Sequence, residues 1–538
     1  MGIAGASDPA VRQHAVMIHA DVIGERSRLS PQRVALVYVP TGERFTYASL
    51  DARAWRLACA MTHVLGLRSG DRVGLLAHNA VEFVDAMSAA AKTGLVLVPL
   101  STRATAAELA GIVTDSGIRA LIYDGAFAPL VSALRPEVGV DTWIAMDGSQ
   151  RRDEGDPVLH DILARVTSAD VATSAQAARH ERPPDPESAL FLLYTSGTTG
   201  TPKGVVLPHR MVAWNAYNTA VCWQLREDDV SSIFTPLYHA GGLGAFLLPI
   251  LAAGGTIVLH HGFDAGEVWR TIEREGCTVV LGVPTIWKML AEAPEFATVD
   301  LSRLRWLISG GAPLPRAIID TYQARGVAFK QGYGLTEVGV NCFSMSVEDA
   351  VRKAGSIGRP MMFTQARCVD DAGRTTPPGE VGELLLRGPH VCLGYWNNPE
   401  ATRQAIDEDG WFHTGDLARC DEDGFFTIAG RQKDMIISGG VNVYPAEIEA
   451  ALATHPGVAD AAVVGVPHDT WGEVGVAFIV RSPGGTVDAA ALAAHLLTSL
   501  ARHKLPRAFV FVEALPRTPY GKVVKDELRK AYLGGWQP

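Results

Sequence analysis

Short apolar runs alternate with helical patterns along much of this chain, and that alternation constrains the fold more than any other feature. Between positions 72 and 123 the sequence predicts strand, helix, strand, helix and strand, at Arg72 to Leu76, Glu82 to Thr93, Leu95 to Leu100, Ala106 to Asp115 and Ala120 to Tyr123. Strands that alternate with helices form βα units on a mostly parallel sheet covered on both faces. The sequence therefore predicts an α/β fold.

A second series of the same kind begins near position 189. Its predicted strands are Ala189 to Leu193, Ser232 to Phe234, Thr256 to His260, Thr278 to Val283 and Leu304 to Ile308. Its predicted helices include Gly266 to Glu275 and Pro315 to Arg325. Between the two series, Gln150 to Ser188 is rich in charge, Pro and Ala, and we expect it to cross the surface between two subdomains.

The pattern changes twice more towards the carboxyl end. From about Gln365 the chain shows short β segments separated by turn signals, which indicate a small antiparallel barrel or sheet. After Lys433 a compact α+β unit of about 100 residues follows. We predict a large N-terminal domain, residues 1–431, of two βα-layered subdomains plus a small β-barrel-like subdomain. A hinge at residues 432–433 would join it to a small mobile α+β domain, residues 434–538.

Composition narrows the class of protein. With 538 residues, 47% hydrophobic and 20% charged, the chain has the composition of a soluble globular protein of two or more domains. A net charge of −10 disfavours a protein that binds nucleic acid. The seven cysteines are scattered and never spaced Cys-x-x-Cys, which argues against zinc or a disulfide framework. We find no signal peptide between Met1 and Val22 and no apolar run of about 20 residues, so we expect a cytoplasmic protein without a transmembrane segment.

A glycine-rich loop follows the predicted strand Ala189 to Leu193. It reads Tyr194-Thr195-Ser196-Gly197-Thr198-Thr199-Gly200-Thr201-Pro202-Lys203-Gly204. Glycines let main-chain N–H groups approach an anion, hydroxyls add donors and Lys203 adds a positive charge, so a polyphosphate is the expected guest. The spacing differs from that of the ordinary P-loop NTPases, and such a run also occurs as a plain loop.

Other glycine-punctuated stretches stand at predicted strand ends, where open α/β sheets bind ligands. Ser309 to Pro313 is one such stretch, and Gln331 to Glu337 is another. The second contains an aromatic ring that could stack on a base, a hydroxyl that could bind a phosphate and a carboxylate that could bind Mg²⁺. Asp416 stands in a turn, where it could bind ribose hydroxyls or only satisfy nearby N–H groups. Lys522 follows a stiff segment that begins at Pro516.

Six motifs in one order resemble the adenylate-forming superfamily, which includes acyl-CoA synthetases, firefly luciferase and the adenylation domains of peptide synthetases. The motifs are Tyr194 to Gly204, Tyr238 to Gly242, Gly332 to Glu337, Gly415-Asp416, Gly430 to Tyr444 and Pro516 to Lys522. Within the superfamily the chain looks most like the bacterial fatty-acyl-CoA synthetases. The resemblance implies that a carboxylate attacks ATP to give acyl-AMP and pyrophosphate, and that the CoA thiol then displaces AMP.

The resemblance also implies roles for residues of this chain. The implied catalytic residues are Lys522, Lys203, Thr336, Glu337 and His239. ATP or AMP would be held by Thr195, Ser196, Gly197, Thr198, Thr199, Gly200, Lys203, Gly310, Gly311, Ala312, Gly332, Tyr333, Gly334, Thr336, Asp416, Arg431 and Lys522. Mg²⁺ would bind Glu337 and Thr198, and Lys433 would be the hinge. CoA would pass Ser438, Gly439 and Gly440, although these glycines could instead only shape a turn. The acyl pocket would use Tyr238, His239, Gly241, Gly242, Val283, Pro284 and Gly339.

Several functions stay open, and an ATP-dependent acyl-CoA ligase for a medium- or long-chain fatty acid or an aromatic acid is favoured. An amino-acid adenylating enzyme that loads a carrier protein would need an acid to pair with the substrate ammonium, and Pro236 to Ala240 contains none. A non-catalytic nucleotide-binding relative would be expected to lack at least one of the residues Lys203, Glu337, Asp416, Arg431 and Lys522, and all are present. A luciferase-like oxidation and a homodimer also stay open.

Overall fold

The computed structural model describes residues 20–147, 155–180, 184–195, 202–312, 314–439, 441–517 and 523–535. The chain divides into two compact units. The first comprises Met1–Asp264, Leu335–Asn341 and Gly388–Gln404; the second comprises Ala265–Gly334, Cys342–Arg387 and Ala405–Pro538. Each unit therefore draws on segments that are distant in sequence, and the motif Gly332 to Glu337 contributes to both.

Helices and strands alternate through the first half of the chain as the sequence predicts. In order, the elements are α1 Val22–Leu29, β1 Val34–Tyr38, β2 Arg44–Thr46, α2 Tyr47–Cys59, β3 Arg72–Leu76, α3 Val81–Thr93, β4 Val96–Pro99, α4 Ala106–Ser116, β5 Ile118–Tyr123, α5 Ala128–Leu134, β6 Thr142–Ala145, α6 Leu159–Ala164, α7 Ser168–His180, β7 Ala189–Thr195, β8 Lys203–Pro208, α8 His209–Cys222, β9 Val230–Ile233, α9 Ala240–Gly242, α10 Leu248–Ala253 and β10 Thr256–Leu259.

The described residues of the first unit form two sheets. One has six strands in the order β6-β5-β3-β4-β7-β8, parallel except that β8 runs antiparallel to β7. The other has the order β2-β1-β10-β9. Both are covered by helices, and the central strands are apolar: Leu75 and Leu76 of β3 are fully buried. Parallel strands buried on both faces read as continuous apolar runs, which is why β3 has the bounds that the sequence predicts.

The segment Gln150 to Ser188 differs from the expectation of a crossing between two subdomains. Where it is described it carries α6 and α7, and it leads into β7, which pairs with β4 of the first series. The helix α7 packs beside α2, where the Cys59 Sγ lies 3.3 Å from the Ser174 Oγ. The Ala-rich sequence of α7 favours a helix, and its packing on α2 makes the segment part of this unit.

The remaining elements follow from position 265 onwards. They are α11 Ala265–Glu275, β11 Val279–Gly282, α12 Pro284–Glu292, β12 Trp306–Ser309, α13 Arg316–Gln323, β13 Phe329–Gln331, β14 Phe343–Ser344, α14 Val347–Arg352, β15 Arg359–Pro360, β16 Gln365–Val369, β17 Val381–Arg387, α15 Pro399–Ala405, β18 Phe412–Cys420, β19 Phe426–Arg431, β20 Ile436–Ser438, β21 Val441–Val443, α16 Pro445–Leu452, β22 Val458–His468, β23 Gly472–Arg481, α17 Ala489–Leu497, β24 Ala508–Val512 and α18 Lys525–Leu533.

The second unit contains three larger sheets. The strands β11-β12-β13 are parallel, β16-β17-β18-β19 form an antiparallel sheet, and β21-β20-β23-β22 with β24 beside β23 form the last. The last sheet has a core on each face. One core includes Ile448 of α16 and Leu492 of α17; the other includes Leu528 of α18. The predicted small α+β fold is therefore present, and the boundary at residues 432–433 stays a prediction. In the described part of the chain no helix has the length and apolarity needed to cross a membrane.

Candidate active site

The ends of the glycine-rich loop are held together by a strand pair of the first unit. Thr195 at the end of β7 lies opposite Lys203 at the start of β8, and Tyr194 lies opposite Gly204. The Tyr194 hydroxyl donates to the Asp115 Oδ2 at 2.6 Å. Ser196, Gly197, Thr198, Thr199 and Gly200 lie outside the described residues. The loop is thus a hairpin connection whose base is rigidly paired.

Lys203 and Glu337 both contact one tyrosine that the motifs did not point to. The Lys203 Nζ lies 5.2 Å from the centroid of the Tyr395 ring, and the Tyr395 hydroxyl donates to the Glu337 Oε1 at 3.0 Å. Burial, and then the charge of Glu337, raise the pKa of Tyr395, so its hydroxyl keeps its proton. Tyr395 therefore connects the loop lysine to the carboxylate predicted to bind Mg²⁺.

The main chain around Tyr395 is hydrogen-bonded to β8. Trp396 N–H donates to Gly204 O at 2.7 Å, and Val206 N–H donates to Gly394 O at 2.9 Å. The Glu337 carbonyl accepts from Cys392 N–H at 2.8 Å. The aromatic pair Tyr395-Trp396 was the available sequence signal, but nothing local indicates that it meets a glutamate 58 positions away.

A small, partly open cavity lies in the first unit beside the same segment. The strands β7 and β8 contribute Phe191, Leu193 and Leu207, and α8 contributes Met211, Val212 and Asn215. The rest of the wall is made by Ala240, Leu243, Gly244, Leu248, Thr336, Gly339 and Val340. Its side chains are apolar except for Asn215 and Thr336, and none carries a charge. Such a wall suits an apolar guest.

The residues predicted for the acyl pocket do not all line this cavity. Gly339 lines the cavity, with φ of 72°. Tyr238, His239, Gly241 and Gly242 precede or form α9 and do not line the cavity, whereas their neighbours Ala240, Leu243 and Gly244 do. Val283 and Pro284 stand at the start of α12 in the second unit. The cavity residues of α8 were missed, although positions 211, 212 and 215 share one helix face.

Two of these residues have local structural roles. The His239 Nδ1 accepts from Gly241 N–H at 3.1 Å, so the imidazole caps the start of α9. A Cβ on Gly242 would stand 2.2 Å from the Pro236 carbonyl oxygen, which explains the glycine there. The catalytic role of His239 stays a prediction.

In the second unit, Tyr333, Asp416 and Arg431 form one hydrogen-bonded group. The Tyr333 hydroxyl donates to the Asp416 Oδ2 at 2.6 Å, and the Arg431 Nε lies 3.1 Å from the Asp416 Oδ1. Asp416 and Arg431 are register partners on β18 and β19, so the predicted turn at Asp416 is wrong and the residue lies in a strand, where the pairing with β19 satisfies its backbone. Burial and the charge of Asp416 raise the pKa of Tyr333 well above its ordinary value, so the phenol remains a donor.

The predicted adenine-binding glycines follow β12 and β13 in this unit. Gly310 and Ala312 flank Gly311, which has φ of 80°. Gly332 N–H donates to Ser309 O at 2.8 Å, and a Cβ on Gly332 would touch Ile308 at 3.3 Å. The ring of Tyr333, before Gly334, packs edge-on against Phe343. These glycines therefore follow the ends of adjacent parallel strands, as predicted.

Ser438 and Gly439 lie at the end of a hairpin in the carboxy-terminal region. Ser438 of β20 pairs with Val441 of β21, and Gly439 has φ of 58°. Gly439 N–H donates to Trp471 O at 2.8 Å, and a Cβ on Gly439 would stand 2.7 Å from the Trp471 ring. Gly439 therefore has a structural role in this turn, and its role in CoA binding stays a prediction. Gly440 lies outside the described residues.

Lys522 also lies outside the described residues, and only the ends of its segment can be placed. Arg517 and Val523 form an isolated bridge, and Val524 N–H donates to Pro516 O at 2.8 Å. Lys433 stands in a short helical turn, residues 432–434, directly after β19. Neither observation tests the roles predicted for Lys522 and Lys433.

Residues 24–396 match the AMP-binding enzyme family, and residues 447–522 match the AMP-binding enzyme C-terminal domain. The chain belongs to the AMP-binding enzyme family. This match confirms the adenylate-forming family predicted from the motifs.

Two curated relatives cover nearly the whole chain. A feruloyl-CoA synthase of Amycolatopsis is 40% identical over 94% of this chain and 97% of its own length. A long-chain-fatty-acid–CoA ligase of Mycobacterium tuberculosis is 39% identical over 95% and 98%. The ATP-bound crystal structure of MatB from Rhodopseudomonas palustris superposes with a TM-score of 0.86 at 33% identity, covering 96% of this chain and all of that one. The structural match confirms the α/β fold, and the curated relatives confirm the enzyme class of AMP-forming acid–thiol ligases.

Proposed function

We propose that this enzyme joins an apolar carboxylic acid to CoA in two steps, with ATP converted to AMP and pyrophosphate. One observation carries the proposal: the turn from Thr336 to Gly339 serves two purposes. Thr336 and Gly339 line the uncharged cavity, while Glu337 between them binds Tyr395 beside Lys203. A group suited to polyphosphate chemistry and a wall suited to an apolar tail thus share one turn of chain.

The chemistry requires charge neutralisation more than it requires a base, because a carboxylate must approach a polyanion. We assign the β- and γ-phosphates to Lys203 and residues 195–200, and the α-phosphate to Thr336. Asp416 and Arg431 would bind the ribose, and Tyr333 and Gly311 the adenine. The orientation of the Asp416 carboxylate is fixed for this role, because Tyr333 contacts one of its oxygens and Arg431 contacts the other.

The residues present fit a magnesium ion that accompanies ATP. Mg²⁺ prefers oxygen ligands and commonly uses one or two carboxylates together with substrate phosphates. Glu337 supplies such a carboxylate, and the described residues contain no larger cluster of acidic or histidine ligands. Glu337 and Thr198 would hold the ion, which would neutralise phosphate charge when bound.

Each of the two half-reactions would use groups of the carboxy-terminal region. We assign Lys522 to the α-phosphate and the substrate carboxylate during adenylation, and Ser438, Gly439 and Gly440 to the path of the CoA thiol. One small domain would present these groups in turn by rotation about Lys433.

Product analysis with a panel of acids tests the proposal. Decanoate and ferulate should release pyrophosphate with ATP, and should yield AMP and a thioester only when CoA is added. Malonate is the matched control, since its second carboxylate would enter a wall without a countercharge. Burying that charge costs at least about 3 kcal/mol, so kcat/KM should be roughly 100-fold lower. Formation of ADP, or equal turnover of malonate, would contradict the proposal.

A further inference from the structure

Asn215 is a buried polar residue with one side of its amide satisfied. It lies on α8 and is 5% exposed. Its Nδ2 donates to the carbonyl oxygen of Gly244 at 2.7 Å. Because two oxygens cannot share a hydrogen bond, this contact sets the orientation of the amide. The Oδ1 must therefore point away from Gly244, and no hydrogen-bond donor of the described residues reaches it.

The residue that carries this oxygen lines the apolar cavity. Asn215, Gly244 and Gly339 all line that cavity, and a Cβ on Gly339 would stand 2.9 Å from the Asn215 Oδ1. Met211 and Val212, which precede it on the same helix face, are apolar and buried. A buried acceptor without a donor costs about 1–3 kcal/mol, which is a reason to ask what normally binds it.

We propose that the Asn215 Oδ1 accepts a hydrogen bond from the tail of the acid substrate, and that Asn215 is therefore a specificity-determining residue. The preferred acid would be apolar but would carry one neutral donor, a hydroxyl or an N–H, on its tail. An unsubstituted hydrocarbon tail would leave the oxygen unpaired, and an ether or a second carboxylate offers no proton to it. This inference rests on the proposed function, because it needs the cavity to hold the acid.

The magnitude follows from the asymmetry of buried hydrogen bonds. An acid with a well-placed hydroxyl gains the bond, whereas its unsubstituted analogue leaves the acceptor buried and unpaired. We expect the hydroxylated acid to be favoured by roughly 10- to 100-fold in kcat/KM, the range that corresponds to one such bond. Replacement of Asn215 by leucine, which is of similar size and has no acceptor, should remove that preference.

The experiment measures pyrophosphate release by the full-length protein with matched pairs of acids. Cinnamate is compared with its 2-, 3- and 4-hydroxy derivatives, and decanoate with hydroxydecanoates, in the wild type, Asn215→Leu and Asn341→Leu. Asn341 is the control because it is also buried and its Nδ2 donates to Thr219 Oγ1 and Ala245 O, yet it does not line the cavity. The ratio of kcat/KM within each pair is the readout, since general damage lowers both members equally.

A preference of about 10-fold or more in at least one pair, lost in Asn215→Leu and kept in Asn341→Leu, is the expected result. Equal ratios in the wild type and Asn215→Leu would overturn the proposal and would mean that solvent satisfies the oxygen. A wild type without preference in any pair would overturn it even if the variant does not fold. If no acid releases pyrophosphate, the proposed function itself fails, and this inference fails with it.

Discussion

The Tyr395 hydroxyl donates a 3.0 Å hydrogen bond to the Glu337 carboxylate, and the ring of the same tyrosine faces the Lys203 ammonium. Two groups that the motifs place in the chemistry are thus held by a residue outside the motifs. A donor to a carboxylate ligand sets the orientation of its oxygens, and such outer contacts matter for metal affinity.

Tyr395→Phe should therefore weaken the binding of the divalent ion. The loss expected for a residue that orients a ligand is roughly 10-fold. Electron paramagnetic resonance of Mn²⁺, titrated in the presence of the α,β-methylene analogue of ATP, measures this without turnover. Tyr123→Phe is the control, because that buried hydroxyl donates to the Asp156 carboxylate at 2.7 Å outside the site. Equal Mn²⁺ affinities in the wild type and Tyr395→Phe would show that Tyr395 only supports the fold.

Lys522→Ala should separate the two half-reactions. Adenylation should fall by at least about 100-fold, because the charge that joins carboxylate and phosphate is removed. Thioester formation from supplied acyl-AMP should persist, since that step does not need this lysine. Rapid-quench assays of each half-reaction provide the measurement. A similar loss in both steps would argue against a domain that moves about Lys433.

Substitution of Gly439 needs a design that accounts for Trp471. A side chain there is strained by about 1–2 kcal/mol at positive φ, and it also meets the Trp471 ring. Gly439→Leu would therefore disturb the hairpin under either hypothesis. Gly439→Ala should slow CoA transfer while adenylation stays near the wild-type rate.

The double variant Gly439→Ala, Trp471→Ala then distinguishes the two explanations. If the alanine methyl group blocks the path of CoA, removal of the indole will not restore CoA transfer. If the contact with Trp471 is the cause, transfer will recover while the strain at φ remains. The rate of thioester formation from supplied acyl-AMP is the measurement, with Trp471→Ala alone as the reference.

Because Lys330 is buried, we expect the free energy of unfolding to depend on pH. Lys330 is 7% exposed, its Nζ lies 4.5 Å from the ring centroid of Trp306, and burial, followed by the charge of Arg305, lowers its pKa to about 8. The unfolded state therefore binds more protons between about pH 8 and pH 10.5, so this group makes stability rise with pH over that window. Below it, the charged amine destabilises the folded state.

Lys330→Met should thus raise the free energy of unfolding at pH 7 by about 2 kcal/mol, and the gain should shrink by pH 10. Urea denaturation at several pH values measures it. Lys92→Met is the matched control and should destabilise, since Lys92 is buried between Asp21 and Asp51 and its removal takes the positive charge away from two carboxylates. A destabilised Lys330→Met at pH 7 would contradict the prediction.

Local patterns in the sequence were enough to predict most strands and helices. The strand β3 has its predicted bounds because an apolar run reports burial on both faces. The family resemblance implied that Asp416 and Arg431 bind the same ribose, and the pairing of β18 with β19 places the two residues side by side. The order of the six motifs was also sufficient to predict the family, because each motif is a short stretch whose chemistry is local.

Only the tertiary structure decided which distant residues meet. It brought β7 beside β4, placed Tyr395 against Glu337, and put Asn215 in the wall of an apolar cavity. Periodicity reveals that a side chain is buried, but not which neighbour it is buried against, because that depends on the pairing of strands and helices far apart in the chain. For the same reason the sequence indicated an apolar pocket, while the amide of Asn215 in its wall became visible only when α8 was packed against Gly244 and Gly339.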